Sequence, residues 1–178
     1  MGNKRLHRCC FTGHRPEKLN ASEAEIKKQL EYAIRAAIKE GFVTFISGMA
    51  RGSDIWAAEI VLQLKKEYSD IKLICACPFR FCESRWADGW KRRYQYVLQN
   101  ADLVRYISPY YTSDCFYLRN QWMVDRAARV IAVYNGGSGG TRYTVHYAVG
   151  SGVKVVNVIS SSNQAKGGVR NGAYNFAQ

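Results

Sequence analysis

The chain has 178 residues, 47% of them hydrophobic and 13% aromatic, which suffices for one domain with a full core and is too apolar for a disordered segment. Lysine and arginine number 26 against 14 acids, a formal charge of +12, and such a surplus attracts phosphate-bearing partners without telling a nucleotide from a nucleic acid. No apolar run approaches the roughly 18 residues of a membrane span, and residues 1–6 lead into a strand rather than a signal-peptide core, so a cytoplasmic protein with no membrane partner is expected.

In chain order, residues 6–11 read as a first strand that stops at Thr12-Gly13-His14-Arg15-Pro16, where glycine permits a sharp turn and proline prevents continuation. Thr12, His14 and Arg15 make this strand-end loop a ligand candidate, although a turn with solvated side chains fits the loop taken alone. Ser22-Glu-Ala-Glu25 is a capping box, and Ile26, Leu30, Ala33, Ile34, Ala37 and Ile38 follow at helical spacing until Gly41. Residues 42–46 form a second strand. Ser47-Gly48-Met-Ala-Arg51-Gly52-Ser-Asp54 is a second glycine-bearing turn into a helix: Gly48 and Gly52 allow close approach, Arg51 suits a phosphate, and Asp54 either caps the helix or accepts from a ribose hydroxyl. Trp56, in that helix's first turn, is either a core residue or a platform for a base.

Residues 71–77 form a third strand, closed by Pro78-Phe79. Residues 83–99 read as a helix interrupted by Gly89, with Trp86, Trp90, Tyr94 and Val97 on one stripe and Arg85, Lys91, Arg92 and Arg93 elsewhere. That pattern is a buried aromatic stripe with a solvated basic face, or a surface for single strands. A fourth strand over 101–107, a tyrosine-rich loop over 108–114 and a helix over 115–128 come next. The fifth strand begins at Val130 and ends in Asn135-Gly136-Gly137-Ser138-Gly139-Gly140-Thr141, where four glycines in five positions precede a helix. Glycines let another molecule reach the main chain, and the unpaired N–H groups of a helix start carry the positive end of its dipole, so this loop suits phosphate. A sixth strand over 153–159 precedes a Ser-, Gly-, Asn- and Lys-rich stretch, expected to be a loosely packed tail over 161–178. Cys9, Cys10, Cys75, Cys77, Cys82 and Cys115 show neither a CxxC pair nor zinc-ligand spacing and read as reduced core thiols, so no metal site is expected.

Six strands alternating with helices predict an α/β, doubly wound, mostly parallel sheet with helices on both faces, in a single domain over residues 1–160. Ligands of such sheets lie outside the carboxyl ends of the strands. The loops at 12–15, 47–54 and 135–141 all lie at such ends, and a strand order of 3-2-1-4-5-6 would gather them round one crevice.

With those loops in hand, the chain resembles the YpsA-like family of the SLOG superfamily, a Rossmann-like set related to DprA and the Lonely Guy (LOG) enzymes. The matching pieces are Phe11-Thr-Gly-His-Arg-Pro16, Ser47-Gly-Met-Ala-Arg-Gly-Ser-Asp-Ile-Trp-Ala-Ala-Glu59, Cys77-Pro-Phe79, Arg119-Asn-Gln-Trp-Met-Val-Asp125 and Gly136-Gly-Ser-Gly-Gly-Thr141. The resemblance implies a nucleotide-derived ligand, in a set that includes both enzymes and sensors, and a sensor or regulator is the first expectation here. LOG phosphoribohydrolases carry Pro-Gly-Gly-x-Gly-Thr-x-x-Glu, and their Glu position is Thr144 here. A threonine supplies no carboxylate for a base or an oxocarbenium-like centre, so binding is expected rather than LOG hydrolysis, with Glu59 or Asp125 as the only substitute acids weighed. The segment from Ser47 to Asp54 resembles that of DprA, which keeps weak binding of single-stranded nucleic acid as the second reading. A homo-oligomer is left open.

Overall fold

The computed structural model describes residues 4–159, and the tail expected over 161–178 lies outside the described residues. Six strands alternate with five helices: β1 (Arg8–Gly13), α1 (Glu23–Lys39), β2 (Thr44–Ser47), α2 (Ser53–Leu64), β3 (Lys72–Cys77), α3 (Asp88–Asn100), β4 (Leu103–Tyr106), α4 (Cys115–Asp125), β5 (Arg129–Val133), α5 (Gly140–Gly150) and β6 (Lys154–Asn157). All strand pairs are parallel.

The sheet order is β4-β3-β2-β1-β5-β6, which corrects the expected 3-2-1-4-5-6: β4 lies outside β3, and β5 rather than β4 pairs with β1. The reason is chemical. A central parallel strand is covered on both faces and must be apolar throughout. Beyond its first residue β5 is Val130-Ile-Ala-Val133, and every residue of the strand is buried, whereas β4 carries Arg105 and alternates exposed with half-buried positions, as an edge strand does.

Strand residues alternate between two cores. Cys9, Phe11, Phe45, Leu73, Cys75, Cys77, Ile131 and Val133 join α1, α2 and α3 on one face, while Cys10, Ile46, Ile74, Ala76, Val130 and Ala132 meet α4 and α5 on the other. The cysteines are free and five of the six are buried; burial pushes the Cys9 and Cys77 thiols up to about 12, so they serve as small apolar residues. Among the described residues no His/Cys/Asp/Glu group could hold a metal ion, and no helix is long and apolar enough to cross a membrane.

The α1 capping box forms as expected, with Ser22 accepting from the Glu25 amide and Glu25 accepting from that of Ser22. The helix expected over 83–99 begins only at Asp88. Residues 78–87 are instead turns, and Phe81 sits at φ 63, outside the helical region.

Because β1, β2, β3 and β4 step one way from β1 while β5 and β6 step the other, the chain reverses direction between β1 and β5. The crevice of a doubly wound sheet opens at such a reversal, on the carboxyl side.

Candidate functional site

The loop after β1 is held from two sides. The His14 amide donates to the Val133 carbonyl of β5, 3.0 Å away, and the Ser53 hydroxyl of α2 donates to the His14 carbonyl at 3.0 Å. Gly13 permits this closeness, since a methyl group there would lie 2.4 Å from Ser53 Cβ. His14 is 3% exposed and rests against the Tyr134 ring, 5.5 Å between centroids. Burial and, secondarily, the Lys18 ammonium hold its pKa below the usual histidine value, with the Asn135 side chain opposing, so it is a neutral imidazole near neutrality. Its Nε2 has no hydrogen-bond partner among the described residues.

Beside the loop after β2 lies a buried pair of opposite charges, one on α2 and one on α4. Asp54 is 4% exposed and Arg119, in the second turn of α4, is 5% exposed. A methyl group at Gly48 would lie 2.6 Å from Arg119 Nη1 and 2.8 Å from Asp54 Oδ2, so both charged ends crowd the space over this glycine and a side chain there would have to displace them. Asp54 does not cap α2: the cap position is Gly52, without a side-chain bond, and Asp54 Oδ2 accepts from the Ala50 amide at 3.3 Å while its own carbonyl accepts from Ser47 Oγ at 2.8 Å. Burial raises the Asp54 pKa to about 6 despite the opposing Arg119. Arg119 Nε donates to Asn120 Oδ1 at 2.7 Å, and Asp54 Oδ1 and Arg119 Nη1 have no hydrogen-bond partner among the described residues.

The glycine loop joins these two regions. Gly136 and Gly139 have φ of 91 and 123, the left-handed range that L side chains avoid. The Asn135 side chain closes the loop by accepting from the Gly137 amide at 2.9 Å and donating to the Lys18 carbonyl at 2.8 Å; Lys18 Nζ reaches the Ser138 carbonyl at 3.4 Å. A methyl at Gly137 would sit 3.8 Å from the His14 ring, and one at Gly140 would sit 3.9 Å from Asn120 Nδ2. The arc from His14 through the loop to Asn120, Arg119, Gly48 and Asp54 is therefore continuous.

The start of α5 is bare. Its cap, Gly139, offers no side chain, its first turn holds no acid, and the first intrahelical bond is donated by Tyr143 to the Gly139 carbonyl. The amides of Gly140, Thr141 and Arg142 precede that bond, and Arg142 adds positive charge where a helix ordinarily prefers negative.

The remaining expected residues fall into place unevenly. Thr12 and Ser47 are buried at their strand ends, and Thr141 is buried in the first turn of α5. Arg15 is exposed, and Arg51 pairs with Glu17 at 3.0 Å, tying the β1 and β2 loops. Gly52, at φ 87, lets Pro16 approach to 2.7 Å from where a methyl would be. Trp56 is 2% exposed in the core with its ring 6.2 Å from Trp90, so it has no open face for a base and takes the core role weighed for it. Thr144 is fully buried, its hydroxyl turned to the Gly140 carbonyl at 2.8 Å. Glu59 is occupied by Arg93 and Lys27, and Asp125 accepts from the Tyr147 hydroxyl. Arg93 is bound to Glu23 and Glu59 and lies over Trp90, so it is a helix-to-helix tie rather than part of a free basic face.

Arg119 and Asn120 were given no role from sequence. The available signal was a polar pair in the second turn of a helix, between Phe116-Tyr-Leu and Trp122-Met-Val, where burial of both requires a polar environment.

A family model described as the YspA SLOG family matches residues 9–154. Similar curated relatives include UPF0398 proteins of Bacillus thuringiensis (strain Al Hakam) and Bacillus cereus (strain AH187), each 30% identical over 132 residues, or 70% of this chain and 72% of the relative. Among solved structures the chain is similar to the DNA processing protein A (DprA) of Streptococcus pneumoniae, with a TM-score of 0.65 and 21% identity over 90% of this chain and 53% of that one. It is also similar to DNA processing protein A of Helicobacter pylori, a structure described for its single-stranded DNA binding mode, with a TM-score of 0.63 and 19% identity over 90% of this chain and 68% of that one. The chain thus spans about half the length of the streptococcal protein, and at these identities the likeness is one of fold.

Proposed function

The chain belongs to the YspA SLOG family, and from that premise we propose that it binds a nucleotide or nucleotide derivative in the crevice between β1 and β5, as a cytoplasmic sensor or regulator. The phosphate sits on the amides that open α5, with Ser138 and Lys18 beside it. The ribose hydroxyls lie towards Asp54, and Arg119 supplies the buried positive charge.

The observation that carries the reading is the set of buried polar atoms without hydrogen-bond partners among the described residues along one arc: His14 Nε2, Asp54 Oδ1 and Arg119 Nη1. A buried polar atom without a bond costs about 1–3 kcal/mol, and a ligand offering acceptors to Arg119 and donors to Asp54 removes that cost. A helix start without an acid or a cap points the same way. Binding rather than turnover is favoured because Thr144 brings no carboxylate, and Glu59 and Asp125 are held in other contacts.

The test is thermal unfolding with nucleoside mono- and diphosphates. At a hundredfold excess over Kd, ligand binding stabilises by about 2.7 kcal/mol, roughly 5–10 °C for a chain of this size. Ser138→Asp places a carboxylate in the phosphate seat without touching the positive-φ glycines and should abolish the shift. Equal shifts in parent and variant would remove the glycine loop from the site, and steady release of free base from the nucleotides would replace binding with hydrolysis.

A further inference from the structure

Trp56 is buried and offers no stacking face, but exposed rings crowd the same end of the sheet. Phe81 is 75% exposed, Tyr110 68%, Tyr111 63%, Tyr117 45% and Phe116 42%. They come from the turns after β3, the loop after β4 and the first turn of α4, all on the carboxyl side. Phe79 joins them, its ring centroid 5.6 Å from Tyr111 and 6.1 Å from Phe116, both edge to face. Tyr117 continues the row to Tyr143 of α5 at 4.7 Å, and the next turn of α4 places Arg119 and Asn120 in the site. The Tyr117–Tyr143 contact thus brings this group of rings up to α5.

We propose that this aromatic rim binds single-stranded nucleic acid, its bases stacked on the exposed rings and one phosphate of the strand seated at the start of α5; the seat rests on the nucleotide reading above, the rim does not. Exposed apolar clusters of this kind mark interaction surfaces, and charge selects the partner. Arg80 and Arg85 are exposed on the same turns, with the Arg80 guanidinium 4.5 Å from the Tyr106 ring. Against them the exposed acid of residues 78–87 and 107–118 is Asp114, Glu83 being buried and bonded to Gln95. A second copy would bring the same +12 charge, whereas a polynucleotide brings phosphates for the arginines and π-faces for the rings. Phe81 adds an independent sign: a bulky side chain at φ 63 is a strained backbone whose effect is to hold an apolar ring in solvent.

Fluorescence anisotropy of a labelled oligothymidylate of about 12 nucleotides, at near-physiological salt, tests the rim. Phe81→Gly relieves the backbone strain, so the fold is safe, and it removes one platform; Tyr110→Ala removes another at a site of high exposure. Each should weaken the oligonucleotide roughly tenfold, the effect of losing one stacked base, while the thermal shift by mononucleotides stays as in the parent. Unchanged oligonucleotide affinity in both variants, or no oligonucleotide binding by a parent that mononucleotides do stabilise, overturns the proposal and leaves the nucleotide site standing. Conversely, rim-dependent oligonucleotide binding with no mononucleotide shift sustains the rim and removes the nucleotide seat. Light scattering on the same variants covers the rival occupant: a parent dimer that both variants dissociate, with no oligonucleotide bound, assigns the rim to a second copy.

Discussion

Asp54 is a carboxylate buried beside a buried guanidinium, with one oxygen bonded to the Ala50 amide and the other without a hydrogen-bond partner among the described residues. Burial lifts its pKa from 3.8 to about 6. A carboxyl whose folded pKa lies above its unfolded value favours the folded state fully below pH 3.8, and that contribution is lost as pH rises through 6. The shift corresponds to about 3 kcal/mol. Asp54→Asn keeps the shape and does not titrate, so its unfolding free energy should gain on the parent by about 3 kcal/mol across that window. His14, whose depressed pKa acts in the opposite direction as pH falls, is common to both proteins and cancels in the difference. Urea unfolding of the two at a series of pH values measures it, and parallel curves would mean that Asp54 titrates normally. The same residue illustrates the limit of reading spacing alone: capping was the commoner use for an Asp at that position, and only the fold shows Gly52 at the cap and Asp54 turned back into the loop.

At the scale of elements, two glycines separate close packing from slack. Gly13 closes β1 where α2 begins, and an added methyl would meet Ser53 Cβ at 2.4 Å and Val133 Cβ at 2.9 Å, both on rigid elements. Gly13→Ala should therefore destabilise by about 1–3 kcal/mol, the usual result of overpacking. Gly89, the second residue of α3, has no described atom within 4 Å of the same position, and Gly89→Ala should stabilise by up to about 1 kcal/mol through lost freedom in the unfolded chain. Thermal unfolding of the two variants should give shifts of opposite sign; matching signs would refute the close contact at β1. Local signals of this grain were legible. The Ser22 box, the stop at Gly41 and the strand, glycine loop and helix around Gly136 are each specified by residues within a few positions of one another. Residues 78–87 were not: Trp86 and Tyr94 share a stripe at helical spacing, but their edge-to-face contact at 5.4 Å joins a turn to a helix, and tertiary packing overrode the periodicity.

Over the whole molecule, the strand order differs from the expected one while the loops still converge, because β1 lies between β2 and β5 in the observed sheet and thus gathers the loops at 12–15, 47–54 and 135–141 by itself. The clue lay in Arg105: a charged β4 suits an edge, and Val130 to Val133 suit the centre. Charge is likewise a property of the whole. Pairs such as Arg93 with Glu59 and Lys65 with Asp102 cancel locally, yet the net +12 remains, and it acts on any polyanion. Salt separates that long-range attraction from the site. A single strand that meets several cations releases counterions, so its log affinity should fall against log salt with a slope of about −0.7 per phosphate contacted. A mononucleotide held by main-chain amides and Arg119 displaces few counterions and should show a much shallower slope. Arg85→Glu, on the exposed turn after β3, should weaken the strand and leave the mononucleotide unaffected, while Arg119→Gln should weaken the mononucleotide at every salt concentration. Titration of both ligands from low to near-physiological salt makes the comparison. Equal slopes, or a mononucleotide as sensitive to Arg85→Glu as the strand, would mean that surface charge alone holds both ligands and that the crevice between β1 and β5 is not the seat of the phosphate.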